Sequence, residues 1–227
     1  VEYLFPYAYS VNSIKQRLMD NQLTQVLFNL PAGDWDAGER GITCHPDRIT
    51  EFRDGVERAI EYAKALNCNQ CNTLAGIVPD NVSYELAEET LIDNLRFAAD
   101  KLKQHDIKLL AEAINTFDIP GFFLNNSAQS IALINKIESD NLFYQYDIYH
   151  MQRMEGEVAN TIQRHLQSIG HIQLADNPGR HEPGSGEINY DFLLGFIDKL
   201  GYEGWIGAEY IPVNGTEQGL GWLKQYA

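Results

Sequence analysis

Strand-like and helix-like segments alternate along this chain, and four consecutive strand-like segments carry a carboxylate or an amide near their ends. These four side chains are separated by 35, 26 and 36 residues, each about the length of one βα unit. When parallel strands close into a barrel, positions near their C-terminal ends converge on one mouth. Three carboxylates there would repel one another unless a cation held them, so the spacing predicts a metal site. The side chains are Glu112 in 107–113, Asp147 in 142–147, Gln173 in 171–175 and Glu209 in 205–210.

A simpler interpretation is that each acid merely ends a strand, facing solvent or capping the next helix. For one acid this interpretation is sound. For all four it is weak, because strands disfavour Asp and Glu and the flanking residues here are apolar. Glu112 shares a strand face with Leu110, and Asp147 shares one with Gln145 and Phe143. The pattern therefore favours a metal site over four unrelated strand ends.

The wider pattern predicts an α/β fold with seven strands and seven helices. Besides the four segments above, we expect strands at 1–5, 24–30 and 70–75, and helices capped by Ser10 and Ser83. A (β/α)8 TIM barrel needs eight βα units. We therefore expect residues 1–227 to form one barrel domain whose first unit is missing. The alternative is a doubly wound open sheet. That fold usually carries a Gly-rich phosphate-binding turn after its first strand, and this sequence has none there.

Composition limits the classes of partner. The 227 residues are 44% hydrophobic and 22% charged, which is typical of a soluble globular protein. The formal net charge of −15 argues against nucleic acid and anionic membrane surfaces, because both need clustered Lys and Arg. No apolar stretch approaches the ~18 residues of a membrane span. We expect a small-molecule partner, with a homo-oligomer left open.

The three cysteines indicate a reducing compartment, so a cytoplasmic protein is expected. Cys68 and Cys71 have CxxC spacing, but the chain has no second pair and the motif does not open a helix. We interpret them as packing thiols rather than as a redox or zinc site.

Two connections exceed the usual loop length of two to six residues. One covers 31–48 and carries Trp35, Glu39 and Arg40; the other covers 176–187. Long loops at the C-terminal face of a barrel are usually lids or binding loops. An exposed variable loop is the simpler alternative for each.

Three segments resemble a known family. They are 171–189 (HIQLADNPGRHEPGSGEIN), 146–154 (YDIYHMQRM) and 29–41 (NLPAGDWDAGERG), and they are similar to the hydroxypyruvate isomerases. That group belongs to the xylose isomerase-like barrel superfamily. The resemblance extends from the second barrel strand to the end of the chain and implies a (β/α)8 fold. It also implies interconversion of hydroxypyruvate and tartronate semialdehyde by enediol proton transfer.

The resemblance also implies roles for individual residues. Its metal ligands fall on Glu112, Asp147, Gln173 and Glu209, and its acid/base pair falls on Glu112 and Glu209. Related sugar epimerases usually have His where Gln173 stands, so this chain sides with the hydroxypyruvate group. An all-oxygen ligand set suits Mg²⁺ or Mn²⁺ better than zinc.

Three further residues are expected at the substrate. His150 follows Asp147 by three residues, and in the superfamily that this chain resembles that position faces the substrate. The resemblance therefore implies that His150 binds a hydroxyl or relays a proton, and a structural histidine is the alternative. Arg180 is expected to pair with the substrate carboxylate, since its guanidinium fork matches carboxylate geometry. A salt bridge to Glu182 or Glu187 is the alternative for Arg180. Glu187 is expected to orient Arg180 or a ligand.

Other functions stay open at this point. An isomerase or epimerase of a related short sugar acid, such as 2-oxo-tetronate, has the same requirements. A metal-dependent endonuclease for damaged DNA would need more metal-binding histidines and a basic groove. A non-catalytic binding protein or a lyase would be favoured if either Glu112 or Glu209 were absent, and both are present.

Overall fold

The helix over Ile49–Leu66 illustrates how the sequence builds the fold. Its apolar residues recur at three- and four-residue spacing, so Phe52, Val56, Ala59 and Ala63 fall on one face and are buried. The computed structural model describes residues 1–226, and over that range the chain forms eight α-helices and five β-strands. The helices are α1 (Val11–Asp20), α2 (Ile49–Leu66), α3 (Tyr84–Lys103), α4 (Ser127–Ile137), α5 (Ile148–Met154), α6 (Val158–His165), α7 (Tyr190–Lys199) and α8 (Thr216–Gly219).

The strands follow the chain order β1-β2-β3-β4-β5 within the sheet. The chain divides into two compact units, the first ending at Tyr144 and the second beginning at Gln145, so the division falls inside β3. Single-domain organisation stays a prediction. The strands are β1 (Gln70–Thr73), β2 (Lys108–Glu112), β3 (Leu142–Asp147), β4 (Ile169–Leu174) and β5 (Ile206–Ala208).

In the first unit, β1 and β2 pair in parallel, with Gln70 opposite Lys108 and Thr73 opposite Ala111. Helices α2 and α3 pack against each other, and α3 also contacts β2. The predicted caps are confirmed, because the hydroxyls of Ser10 and Ser83 each accept a hydrogen bond from a backbone N–H in the first turn of α1 and α3.

The predicted strands at 1–5 and 24–30 are not continuous strands. Within residues 1–226 these segments form isolated parallel bridges, Glu2 with Leu27 and Asn29 with Asn72. Backbone hydrogen bonds such as Asn29 N to the Leu4 carbonyl keep both segments extended. Their apolar composition predicted extended chain, but composition does not determine whether the bonds follow one another in a regular ladder.

In the second unit, β4 and β5 pair in parallel, with Ile172 opposite Ile206 and Leu174 opposite Ala208. Helix α5 contacts β4, and α6 packs against α7. The strand predicted at 205–210 is shorter in the structure, where β5 covers Ile206–Ala208 and Trp205 before it is 63% exposed. The prediction for 142–147 matches β3 at both ends.

The three cysteines lie in the first unit. Cys44, Cys68 and Cys71 are free, buried thiols. Cys68 follows the end of α2 and Cys71 lies in β1, so the CxxC spacing joins a helix end to a strand, as expected. Burial raises the pKa of the Cys68 thiol to about 12, which opposes thiolate chemistry at neutral pH. Over residues 1–226, the helices are too short or too polar to cross a membrane.

Candidate active site

Glu112 ends β2 in the first unit and is only 5% exposed. Its Oε2 accepts a hydrogen bond of 3.0 Å from the Nδ2 of Asn72. The same Nδ2 donates to the Oδ1 of Asn29 at 3.1 Å. The buried carboxylate of Glu112 is therefore hydrogen-bonded to the amide of Asn72, and that amide is hydrogen-bonded to the amide of Asn29.

Asp147 ends β3 and begins α5, and its two carboxylate oxygens have different surroundings. Oδ1 accepts from the backbone N–H groups of Tyr149 at 2.7 Å and His150 at 3.2 Å, so Asp147 caps α5. Oδ2 is buried and accepts no hydrogen bond from the residues that the structure describes. The Nε2 of His150 lies 3.6 Å from Oδ2 and the Nη2 of Arg180 lies 3.8 Å from it. Capping of α5 thus accounts for Oδ1, whereas Oδ2 lies near the side chains of His150 and Arg180, which can carry positive charge.

Gln173 and Glu209 are joined in a second chain of side chains. The Nε2 of buried Gln145 donates to the Oε1 of Gln173 at 2.6 Å. The Nε2 of Gln173 then donates to the Oε2 of Glu209 at 2.9 Å. The backbone N–H of Glu209 donates to the Leu174 carbonyl, which keeps this residue beside β4 although it lies just beyond β5.

Arg180 brings a cation to this group. Its Nη2 donates to the Oε1 of Glu209 at 2.9 Å, and its guanidinium carbon lies 5.4 Å from the centroid of the Tyr149 ring. Arg180 therefore forms its ion pair with Glu209, whereas the alternative considered from the sequence was a salt bridge to Glu182 or Glu187. Glu182 instead accepts from the backbone N–H of Val213.

The loop at 176–187 is organised by a residue that sequence reasoning missed. Asp176 is fully buried, and its carboxylate accepts from four backbone N–H groups. Its Oδ1 bonds Asn177 and Ile188, and its Oδ2 bonds Gly184 and Gly186, at 2.9 to 3.1 Å. The available signal was an acidic residue opening a Gly-rich loop, since glycine N–H groups can approach a carboxylate closely.

Glu187 closes the same loop and is exposed. Its Oε1 accepts from the Nδ2 of Asn177 at 2.6 Å and, more weakly, from the Nε2 of Gln152 at 3.4 Å. The carboxylate thus links the loop to α5. Its predicted roles, orienting Arg180 and contacting substrate, stay predictions.

The loop at 31–48 is held to its own unit. The guanidinium of Arg40 stacks on the Trp35 ring at 4.3 Å, and that ring packs against Phe5. Glu39 accepts from Arg48 and from the backbone N–H of Asp34. Partial burial raises the pKa of Glu39, but these hydrogen bonds and the charge of Arg48 outweigh it, so the pKa lies below its usual value. A role as a lid stays a prediction.

The predicted residues are divided between the two units of the chain. Asp147, His150, Gln173, Arg180 and Glu209 lie in the second unit, linked by the distances above. Glu112 lies in the first unit within its amide network. Sequence reasoning missed four supporting residues: Asn29, Asn72, Gln145 and Asp176.

Comparison with known proteins assigns the family. The family model for the xylose isomerase-like TIM barrel matches residues 1–226. The chain belongs to this family. The predicted TIM-barrel fold class is therefore confirmed. A crystal structure described as AP endonuclease, family 2, from Brucella melitensis shares 42% identity, with a TM-score of 0.96, covering 100% of this chain and 87% of that one.

Two similar proteins indicate the class of enzyme. Hydroxypyruvate isomerase of Escherichia coli (strain K12) is 53% identical over 226 residues, which cover 100% of this chain and 88% of the relative. The 2-oxo-tetronate isomerase of Cupriavidus necator is 45% identical, covering 100% of this chain and 87% of the relative. The chain is an enzyme of the isomerase class, and its resemblance to the hydroxypyruvate isomerases is confirmed.

Proposed function

We propose that this enzyme interconverts hydroxypyruvate and tartronate semialdehyde with the help of a divalent cation. The observation that carries the proposal is the linked group around Glu209. A carboxylate suited to proton transfer is bonded there to Arg180, a side chain suited to binding the carboxylate of an acid substrate. The 53% identity to the Escherichia coli enzyme supports the same substrate pair.

Glu112, Asp147, Gln173 and Glu209 would hold the cation. The buried Oδ2 of Asp147, which accepts no hydrogen bond from the described residues, fits such a ligand. The Oε1 of Gln173 accepts a hydrogen bond from the Nε2 of Gln145, so this atom is an amide oxygen of the kind that hard cations bind. Oxygen ligands suit Mg²⁺ or Mn²⁺. A bound cation would draw electron density from the substrate carbonyl and hydroxyl, which acidifies the carbon-bound hydrogen.

The protein's own residues carry the proton. One glutamate removes a proton from C3 of hydroxypyruvate. The C–H electron pair forms the C2–C3 double bond and the carbonyl pair moves to the C2 oxygen, so an enediolate forms. The C3 hydroxyl proton then passes to the C2 oxygen while the second glutamate, in its protonated form, delivers a proton to C2, which gives the aldehyde with no atom gained or lost. Proton exchange with solvent returns both glutamates to their starting states. Glu112 and Glu209 are the proposed pair, and such transfer typically contributes about 10²–10⁴-fold.

Arg180 and His150 have supporting roles in this proposal. Arg180 binds the substrate carboxylate, sharing its guanidinium between that group and Glu209. His150, buried beside Asp147, binds the hydroxyl or relays its proton between the two oxygens.

A second candidate is isomerisation of 2-oxo-tetronate, which the 45% identical relative supports. That acid is one carbon longer, so the two candidates differ in the room around the substrate and share the proton chemistry. Endonuclease activity is disfavoured by the net charge of −15, since DNA binding relies on Lys and Arg. The free thiols agree with a cytoplasmic location.

The test is a substrate panel run on chelated protein with and without added Mg²⁺ or Mn²⁺. We expect turnover of hydroxypyruvate only when the cation is present, and slower turnover of 2-oxo-tetronate. Full activity in protein shown to be metal-free by elemental analysis would contradict metal dependence. Faster turnover of 2-oxo-tetronate would assign the enzyme to the second candidate.

A further inference from the structure

A chain of three buried polar side chains runs through the first unit. Asn72 is 0% exposed, and Asn29 and Glu112 are each 5% exposed. Asn72 donates through Nδ2 to both neighbours, at 3.0 Å to Glu112 and 3.1 Å to Asn29. Because a carboxylate only accepts, the amide nitrogen of Asn72 must face Glu112, which fixes the orientation of the amide.

The backbone around Asn72 holds this amide in place. Asn72 lies in β1, and its N–H donates to the Phe28 carbonyl while its own carbonyl accepts from Leu30. These two bonds flank the bridge that sets Asn29 beside Asn72. The amide therefore projects from a backbone fixed on both sides, and both of its hydrogens are used.

The other atom of the amide gives an independent clue. The Oδ1 of Asn72 is buried and has no hydrogen-bond partner among residues 1–226. An unpaired buried acceptor opposes folding, so packing alone would favour an apolar side chain at this position. The hydrogen bonds of this amide are made by its nitrogen, and one of them is to Glu112.

We propose that Asn72 is a positioning residue that fixes the carboxylate of Glu112 for proton transfer and cation binding. This inference rests on the proposed function of Glu112. Asn72 does not react itself. It sets the direction of Oε2, and Asn29 keeps the Asn72 amide from rotating. Partners behind a ligand typically change metal affinity or activity by about 10–100-fold when removed.

The test uses Asn72→Leu, which keeps a similar volume and removes the donor. We expect kcat to fall about ten-fold or more, with KM changing much less, and Mn²⁺ affinity measured by calorimetry to weaken by a similar factor. The melting temperature should fall as well, because the Oδ1 of Asn29 and the Oε2 of Glu112 each lose a buried donor, so kcat and Mn²⁺ affinity are measured well below it. Should Asn72→Leu fail to fold, Asn72→Ser supplies the same measurements.

Thr73 offers a matched control on the same strand. It is equally buried, but its hydroxyl bonds Thr43 instead of Glu112. Thr73→Val should lower the melting temperature and leave kcat and Mn²⁺ affinity unchanged. An equal loss of kcat in Thr73→Val and Asn72→Leu would overturn the proposal, because any disturbance of β1 would then have the same effect.

A double-mutant cycle separates positioning from a structural role. In a Glu112→Gln background, Asn72→Leu should cause little further loss of turnover, because its effect passes through the missing carboxylate. An unchanged ten-fold loss in that background would overturn the proposal, as would wild-type kcat and Mn²⁺ affinity in Asn72→Leu alone. If the wild type isomerises none of the tested acids, the proposed function fails, while the Mn²⁺ affinities of the wild type and Asn72→Leu still test the positioning role.

Discussion

The two glutamates proposed to move the proton have different surroundings. Glu112 ends a regular five-residue strand, is almost fully buried and accepts from the neutral amide of Asn72. Glu209 lies just beyond the three-residue strand β5, and its side chain is 37% exposed. It accepts from the guanidinium of Arg180 and the amide of Gln173. The neutral amide of Asn72 binds one carboxylate, and the guanidinium of Arg180, proposed above to bind substrate, binds the other.

This difference has a consequence for substrate binding. The neighbours of Glu112 are set by backbone bonds in β1, so we expect them to stay in place when substrate enters. Arg180 is the proposed binding group for the substrate carboxylate, and it is already bonded to Glu209. Substrate binding should therefore change the surroundings of Glu209 more than those of Glu112.

The largest expected effect comes from replacing either glutamate. Glu112→Gln and Glu209→Gln each keep an oxygen and the side-chain shape but remove the group that exchanges a proton. Each should lower kcat by at least about 10²-fold with the cation still bound, and the double variant should be little worse than either single one. Steady-state kinetics with Mn²⁺ binding measured by calorimetry tests this. Near wild-type turnover in either variant with metal bound would make that glutamate a ligand alone and direct the search to His150.

A smaller effect is expected from Arg180→Lys. Lysine keeps the charge but loses the fork that can hold Glu209 and a substrate carboxylate together, so KM should rise about ten-fold with a smaller fall in kcat. Arg164→Lys, at an exposed position of α6, is the matched control and should leave both constants unchanged. If Arg180→Lys behaves like the control, the guanidinium of Arg180 is not needed for the function of Glu209. The proposed difference between Glu209 and Glu112 would then be wrong.

Stability of the second unit should respond to Gly186→Ala. A Cβ there would overlap the Asn177 carbonyl oxygen and the Asp176 carboxylate, which organises the loop. We expect unfolding free energy to fall by about 1–3 kcal/mol, the usual cost of unpairing buried polar groups. Gly195→Ala is the control, since no neighbouring atom lies within 4 Å of its Cβ position in α7. Equal melting temperatures for Gly186→Ala and the wild type would contradict the anchoring role of Asp176.

The smallest effect concerns acid stability of the first unit. The pKa of Glu39 is lowered in the folded protein, chiefly by Arg48, so this pair stabilises the fold above the usual glutamate pKa. The stabilisation should be lost as pH falls through the lowered value. Because both side chains are partly exposed, the expected size is below about 1 kcal/mol. Melting temperatures of Glu39→Gln and the wild type should differ at pH 7 and converge as the pH falls through the lowered pKa of Glu39, and a constant difference would contradict this assignment.

The sequence predicted both ends of β3 but none of the long-range contacts between side chains. Residues 142–147 match β3 because an apolar run there is bounded by Asp147, a residue that can also cap a helix. Asn72 and Asp176 were missed because local pattern does not reveal their partners. The amide of Asn72 meets Glu112 forty residues away, and Asp176 meets backbone N–H groups, which carry no side-chain signature. Hydrogen bonds between residues far apart in sequence depend on the tertiary structure. The same is true of the direction in which backbone N–H groups point.

Exchange of the substrate's carbon-bound hydrogen with deuterated solvent tests the division of labour between the two glutamates most directly. Wild-type enzyme, Glu112→Gln and Glu209→Gln would each be given hydroxypyruvate and Mn²⁺ in D₂O and followed by proton NMR. The account predicts that both variants lose turnover with Mn²⁺ bound. It also predicts that one of them still exchanges the C3 hydrogen, having kept the base and lost the acid. Isomerisation at near wild-type rate in either variant would contradict the account.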